Sequence, residues 1–191
     1  TYLPYFRALF VLLGLILRIE KVVSQCNSIQ DSLMLVALYN VTNGDSWTNK
    51  TNWKALGQSI GTWYGVTTNG QGCVTELVLP ANQLNGSIPN LNFPFLSTLV
   101  MYGNQLTGAI PNLSLPNLQY LNFHNNDLNG NIPNFNLPNL RFLDLSANQL
   151  TGNIPNFNLP SLEHLDLYNN DLSGSIPNFN LPNIENVHLA I

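Results

Sequence analysis

Residues 140–161 read LRFLDLSANQLTGNIPNFNLPS, and this 22-residue unit decides the fold of the chain. Its Gly-x-Ile-Pro motif occurs five times at a constant step of 22 residues, with the glycines at positions 86, 108, 130, 152 and 174. A fixed period of this length predicts a solenoid, in which every unit forms one coil and packs against its neighbours. The prediction covers residues 74–191, which hold five full units and the start of a sixth.

The first half of the unit has the alternation of a short β-strand. Leu143 and Leu145 are two residues apart and point to the same side, whereas Phe142 and Asp144 point to the other side. Asn148 follows at a turn, and asparagine occupies the same position in the other units. Because an asparagine side chain both donates and accepts hydrogen bonds, a stacked column of them is predicted to satisfy the backbone of adjacent coils.

The second half of the unit is predicted to be extended and nearly free of helix. Gly152 permits a positive φ or a close backbone approach. Residues 156–160 alternate polar and apolar side chains and end in a proline, a pattern that opposes a helix. The expected fold class is therefore a mostly β solenoid with a parallel concave sheet, an extended convex side and a small helical N-terminal cap.

These motifs resemble the leucine-rich repeat family, and specifically the L-x-G-x-I-P variant of plant receptor ectodomains. The resemblance covers residues 74–191 and implies a right-handed superhelix that binds ligands on its concave face. The unit of this chain is shorter than is usual for that variant. Residues 63–66, Trp-Tyr-Gly-Val, are similar to the sequence that precedes the first repeat in plant receptors.

The first residues have the character of an export signal. A ten-residue apolar run, residues 8–17, is too short to span a membrane. Residues 1–24 are therefore predicted to be a signal peptide, with charged residues before the cleavage site leaving a retained signal anchor as the alternative. A lipoprotein through Cys26 is less favoured, because Gln25 before it is not small. Since the chain begins with Thr1 and stops within a sixth unit, a longer native protein is expected, and a membrane contact would need the uncleaved N-terminal segment or a missing C-terminal part.

Residues 25–73 are predicted to form the N-terminal cap. A helix is expected from Ile29 to Asn40, with Ser28 as its N-cap and Asp31 as its capping-box partner. Tryptophans follow at positions 47, 53 and 63. They are predicted to cover the apolar edge of the first coil, with a sugar-binding platform as the alternative.

Export would allow two covalent modifications. A disulfide between Cys26 and Cys73, which lie at the two edges of the cap, is a hypothesis and would stabilise the fold by about 4 kcal/mol. N-glycosylation sequons occur at positions 40, 49, 85 and 112, and the first two are the favoured acceptors because they lie outside the repeat turns.

Composition and motifs exclude several classes of function. Only 8% of the residues are charged and the net charge is −4, so the chain has no basic surface for nucleic acid. It contains no phosphate-binding glycine loop, no nucleophile elbow and no zinc-protease helix motif. No cofactor, metal or catalytic residue is therefore predicted.

The outward positions of the strands form the predicted concave face. Aromatic side chains with polar tips, which suit contacts with proteins, peptides or glycans, cluster on the third to fifth strands. The predicted ligand-binding residues are Tyr102, Tyr120, His124, Phe142, Asp144, His164, Asp166 and Tyr168. Asp144, Asp166 and His188 share one column. Two hydrated carboxylates are favoured there, and a weak cation site is the alternative.

The sequence thus favours a secreted or cell-surface recognition module that binds a protein or peptide without catalysis. Two alternatives remain. The repeats could serve as a structural or adhesive spacer of a larger surface protein, or the rings could bind a polysaccharide, for example through Tyr120 and Phe142.

Overall fold

The computed structural model describes residues 27–189 of this chain. The predicted signal peptide, Cys26 and the last two residues lie outside this range. Within it, no helix has the length and hydropathy that crossing a membrane requires.

Among residues 27–189, one α-helix precedes a series of short strands. The helix, α1, spans Ser28–Val41, and single 3₁₀ turns follow at Gly44–Ser46 and Ile60–Thr62. The strands are β1 Val66–Thr68, β2 Val74–Val78, β3 Asn85–Ser87, β4 Thr98–Val100, β5 Gln105–Gly108, β6 Tyr120–Asn122, β7 Asp127–Asn131, β8 Phe142–Asp144, β9 Gln149–Asn153, β10 His164–Asp166, β11 Asp171–Ser173 and β12 Asn186–His188.

The first half of every unit supplies one strand to a seven-stranded sheet of order β1-β2-β4-β6-β8-β10-β12. All of its pairs are parallel except β1 with β2, which is antiparallel and belongs to the cap. The register advances by one 22-residue unit per strand, so that Phe142 lies beside Tyr120 on one side and beside His164 on the other. The predicted solenoid and its parallel sheet are confirmed.

A second sheet of five strands, in the order β11-β9-β7-β5-β3, was not predicted. It is built from the Leu-x-Gly part of each unit, where only a positive φ or a close backbone approach at the glycine was predicted. Its neighbouring strands pair with an offset of 20 residues, as in Asn131 with Thr151, rather than with the 22-residue step of the first sheet. Because this offset is even, polar residues still face outward on every strand.

The core lies between these two sheets and the extended segments that join them. Leu143, Leu145 and Leu150 of one unit are completely buried, and their equivalents in the neighbouring units are buried as well. In the extended segment, the Phe157 ring stacks between those of Phe135 and Phe179, at centroid distances of 6.3 and 6.1 Å. Residues 74–189 contain no helix, which confirms the predicted extended side.

The predicted asparagine column is present and links consecutive coils. Asn126 Nδ2 donates to the carbonyls of Met101 in the preceding coil and Phe123 in its own coil, at 3.0 and 3.1 Å. Its Oδ1 accepts from the backbone N–H of Leu106 at 3.0 Å. Asn148 repeats this pattern one coil later. Each asparagine side chain therefore supplies hydrogen-bond partners to backbone groups that a buried turn would otherwise leave without any.

The helix N-cap was assigned wrongly from the sequence. Asn27 caps α1, since its Oδ1 accepts from Ile29 N at 3.1 Å and Gln30 N at 3.4 Å, and Ser28 is already helical. Asp31 is not a capping-box partner: its buried carboxylate accepts from Val74 N at 2.8 Å and ties the helix to the first repeat strand. Burial raises the pKa of the Asp31 carboxyl, and the hydrogen bond from Val74 acts in the opposite direction.

The tryptophans of the cap are buried, which confirms their predicted structural role. Trp47 and Trp53 meet edge to face at a centroid distance of 4.8 Å, and Trp63 packs on Trp53 at 5.1 Å. Tyr39 joins the cluster, and burial with a hydrogen bond to Asp45 raises its pKa to about 12. Rings that are at least 94% shielded cannot serve as a sugar platform.

Cys73 is completely buried next to the start of β2. Its predicted disulfide partner, Cys26, lies outside the described residues, and the pairing stays a prediction. The sequon asparagines Asn40, Asn85 and Asn112 are exposed and Asn49 is half-buried, so glycosylation also stays a prediction.

Candidate functional site

The outward face of the seven-stranded sheet carries a stack of three rings on β6, β8 and β10. The Phe142 ring lies parallel to Tyr120 at a centroid distance of 4.2 Å and parallel to His164 at 4.4 Å, with an interplanar angle of 4° in both pairs. The parallel strands produce this stack, because residues in register are about 4.8 Å apart. All three side chains are half-buried, so one edge of the stack faces solvent. This aromatic stack was predicted as part of the ligand-binding face.

The aromatic stack lines a depression of about 350 Å³. Its rim contains charged residues that were not among the predicted site residues. Arg141 donates from Nε to Glu163 Oε1 at 2.8 Å and from Nη2 to Oε2 at 2.9 Å, which is a two-point ion pair between adjacent coils. Glu185 follows Glu163 in the next unit and lines the same depression. Arg141, Glu163 and Glu185 are 22 residues apart, and this spacing could have indicated from the sequence that they lie side by side.

A second depression of about 400 Å³ lies beside the first at the C-terminal end of the sheet. Asp166, Tyr168 and His188 line it, together with the exposed side chain of Val187. His188 Nδ1 is 3.2 Å from Asp166 Oδ2, and the rings of His164 and His188 meet at 81° with a centroid distance of 5.9 Å. His164 therefore connects the two depressions.

Two of the predicted site residues also hold the turn after the strand. Asp144 Oδ1 accepts from Ser146 N and Ser146 Oγ, at 3.0 and 2.5 Å. His124 Nδ1 lies 2.8 Å from the same Ser146 hydroxyl. These contacts give Asp144 and His124 a structural reason to be present. Asp144 Oδ1 and His124 Nδ1 therefore already have a partner within the protein.

The remaining predicted residues are tyrosines at the ends of the strands. Tyr102 and Tyr168 are 41% and 60% exposed. Tyr168 borders the second depression, whereas Tyr102 lines neither depression. The eight predicted residues thus form three groups. Three make up the aromatic stack, and Asp166 and Tyr168 line the second depression. Tyr102, His124 and Asp144 line neither depression. Whether they bind a ligand stays a prediction.

The two parallel sheets and the asparagine column define a class of protein, the β-solenoid built from short leucine-rich coils. This chain belongs to the leucine-rich repeat family, since it is 30% identical to a solved leucine-rich repeat ectodomain over 90% of that chain. The sequence profile described as Leucine Rich repeats (2 copies) matches residues 116–159 and 138–174. No curated protein matches the chain in sequence.

Solved structures share both the fold and a substantial part of the sequence. The leucine-rich repeat ectodomain of the receptor kinase SOBIR1 from Arabidopsis thaliana is 30% identical, with a TM-score of 0.66, over 83% of this chain and 90% of that chain. The BIR3–SERK2 complex from Arabidopsis thaliana gives 31% identity and a TM-score of 0.60, over 78% and 86% of the two chains. A plant ice-binding protein is 29% identical with a TM-score of 0.70, over 80% of this chain but only 51% of that protein.

Proposed function

We propose that this chain is a non-catalytic recognition module that is secreted or displayed at the cell surface. It binds a protein or peptide segment through the outward face of the seven-stranded sheet, which is the predicted concave face. The observation that carries the proposal is the aromatic stack of Tyr120, Phe142 and His164. The similarity to plant receptor ectodomains, one of them solved as a complex of two proteins, supports an extracellular partner.

The aromatic stack offers a rigid apolar contact. Its three rings already support one another, so little side-chain freedom remains to be lost when a ligand binds. Aromatic residues of this kind are enriched at protein interfaces because one body combines a large apolar area with a polar tip. A depression of about 350 Å³ accommodates one or two side chains of a partner rather than a whole folded surface.

Charge around the aromatic stack indicates the character of the partner. Arg141 is neutralised by its two-point pair with Glu163, while Glu185 on the same rim and Asp166 on the adjoining column add negative charge. The whole chain also carries a net charge of −4. We therefore propose a partner segment that presents an apolar or aromatic side chain next to a lysine or arginine.

Replacing Phe142 with alanine is expected to weaken peptide binding roughly 30-fold, because truncating a central contact residue typically costs about 2 kcal/mol. The probes are peptides selected from a random phage-displayed library against the full chain and then synthesised. Their dissociation constants are measured by isothermal titration calorimetry. The selected sequences are expected to contain an apolar residue beside a basic one.

Asn129→Ala is the control for this measurement, since Asn129 is exposed on the five-stranded sheet. Its affinity for the same peptides should equal that of the unmodified chain. Peptides that bind the Phe142→Ala chain with undiminished affinity would contradict the proposed surface. Circular dichroism of both variants establishes that the comparison concerns folded protein.

A second candidate function is the binding of ice, and a specific feature favours it. The five-stranded sheet exposes a regular array of polar side chains that is mostly uncharged and is interrupted by Asp127 and Asp171. Its small uncharged members include Asn129, Asn131, Thr151, Asn153 and Ser173. Neighbouring strands in such a sheet lie about 4.8 Å apart, so these groups can hold water molecules at a repeating spacing. A plant ice-binding protein has a TM-score of 0.70 with this chain.

If the array binds ice, the chain should slow ice recrystallisation in a frozen sucrose solution, and Asn129→Lys with Thr151→Lys should remove the effect. Long charged side chains on adjacent strands would break the spacing of the array. Tyr120→Lys, on the other sheet, is the control and should retain the activity. Unmodified chain that leaves crystal growth unchanged at high micromolar concentration would refute this candidate.

A further inference from the structure

Three side chains at the C-terminal end of the seven-stranded sheet combine the ligand types that transition metals prefer. His164 and Asp166 lie two residues apart on β10, and His188 pairs in register with Asp166 from β12. One potential ligand atom from each residue lies within 4.8 Å of those from the other two. We propose that this His-Asp-His cluster binds a divalent transition-metal ion of the zinc type.

The donor set distinguishes between metals. Two imidazoles and one carboxylate suit Zn²⁺, Co²⁺ or Ni²⁺, whereas Ca²⁺ and Mg²⁺ require mainly oxygen ligands. In a tetrahedral zinc site, adjacent ligand atoms are about 3.3 Å apart, given metal–ligand bonds of about 2.0–2.1 Å. His188 Nδ1 and Asp166 Oδ2 already stand at 3.2 Å.

The ligand atoms of His164, Asp166 and His188 are close enough for a side-chain rotation to bring them to tetrahedral spacing. The ligand atoms lie within 4.8 Å of one another, so no distance must shorten by more than about 1.5 Å to reach tetrahedral spacing. The His188 side chain is 61% exposed, so its ring can rotate towards His164 without displacing core residues. The backbone and both strands keep their positions.

Contacts around the cluster orient two of its three members. Asp166 Oδ1 accepts from the backbone N–H of Tyr168 at 3.0 Å, which leaves Oδ2 to face His188. The His164 ring is held by its parallel stack on Phe142 at 4.4 Å. Outer contacts of this kind reduce the freedom that ligands lose when a metal binds.

The same three residues would leave part of the coordination shell open. A zinc ion with three protein ligands keeps a fourth position for water or for a group from another molecule. His164 lines the first depression, and Asp166 and His188 line the second, so the ion would lie between them. An ion pair between Asp166 and protonated His188 is the competing explanation of their contact, and it needs no metal.

Calorimetric titration of the full chain with ZnCl₂ tests the proposal. We expect one zinc ion per chain, and at least a tenfold weaker affinity in His188→Ala and in Asp166→Asn. Titration with CoCl₂ should produce visible absorption bands that both variants lose. MgCl₂ should give no saturable heat.

His124→Ala is the matched control, because it removes the other histidine of the described chain, whose Nδ1 faces Ser146. Its zinc affinity should not change. Equal zinc affinity in the unmodified chain, His188→Ala and Asp166→Asn would overturn the proposal, as would a titration without saturable zinc binding. Peptide binding by His188→Ala is measured separately, because His188 is not part of the aromatic stack.

Discussion

Replacing Asn126 with alanine is expected to lower the free energy of unfolding by about 3–4 kcal/mol. The change removes the Oδ1 acceptor of the buried Leu106 N–H, and an unsatisfied buried donor costs about 1–3 kcal/mol. It also removes the Nδ2 bonds to the carbonyls of Met101 and Phe123, each worth about 1 kcal/mol. Those carbonyls retain a second bond each, from Asn104 and from Asn148, which limits the loss.

Urea unfolding followed by circular dichroism measures this effect, and Asn129→Ala is its control. The two variants carry the same chemical change three residues apart, but Asn129 is exposed whereas Asn126 is buried. A surface substitution of this kind changes stability by about 0.5 kcal/mol or less. Equal midpoints for the two variants would show that the asparagine column contributes little to the stacking of coils.

Replacing Gly65 with alanine is expected to destabilise the junction between cap and repeats by more than about 4 kcal/mol, through two separate effects. Gly65 has φ 77°, a region that costs a residue with a side chain roughly 1–2 kcal/mol. A Cβ there would also meet the backbone oxygen of Val78. That strand cannot move aside easily, because Val78 N donates to Gly65 O at 2.7 Å.

Gly130→Ala separates the two effects. Gly130 has the same φ of 77°, but a Cβ there would make only an ordinary contact, 3.7 Å from Ala109 Cβ. It should lose roughly 1–2 kcal/mol, from backbone strain alone. Thermal unfolding of both variants measures the difference, and similar melting temperatures would mean that the junction tolerates a side chain at Gly65.

The structural features that depend on one unit, or on its repetition, could be predicted from the sequence. The alternation of Leu143 and Leu145 with Phe142 and Asp144 indicated which side chains face the core. The constant period placed Tyr120, Phe142 and His164 beside one another, since equal coils bring equal positions into register. The aromatic stack of the candidate site could therefore be predicted from the sequence.

Other features could not be predicted, because they depend on contacts between segments that the period does not relate. The five-stranded sheet pairs residues 20 positions apart, as in Asn131 with Thr151, so the 22-residue step gave no indication of it. Asp31 had a plausible capping role in the local sequence. Its actual partner, Val74 N, is 43 residues away.

The amino-acid sequence alone determined that this chain forms stacked coils, because a strict repeat of apolar positions leaves each coil with surface that a neighbouring coil or a cap must bury. Tertiary structure decided which outward residues act together. The pairing of Arg141 with Glu163, and the convergence of His164, Asp166 and His188, depend on side-chain rotations between adjacent strands. Those rotations are set by packing and charge at the surface, where the hydrophobic pattern of the repeat imposes no constraint.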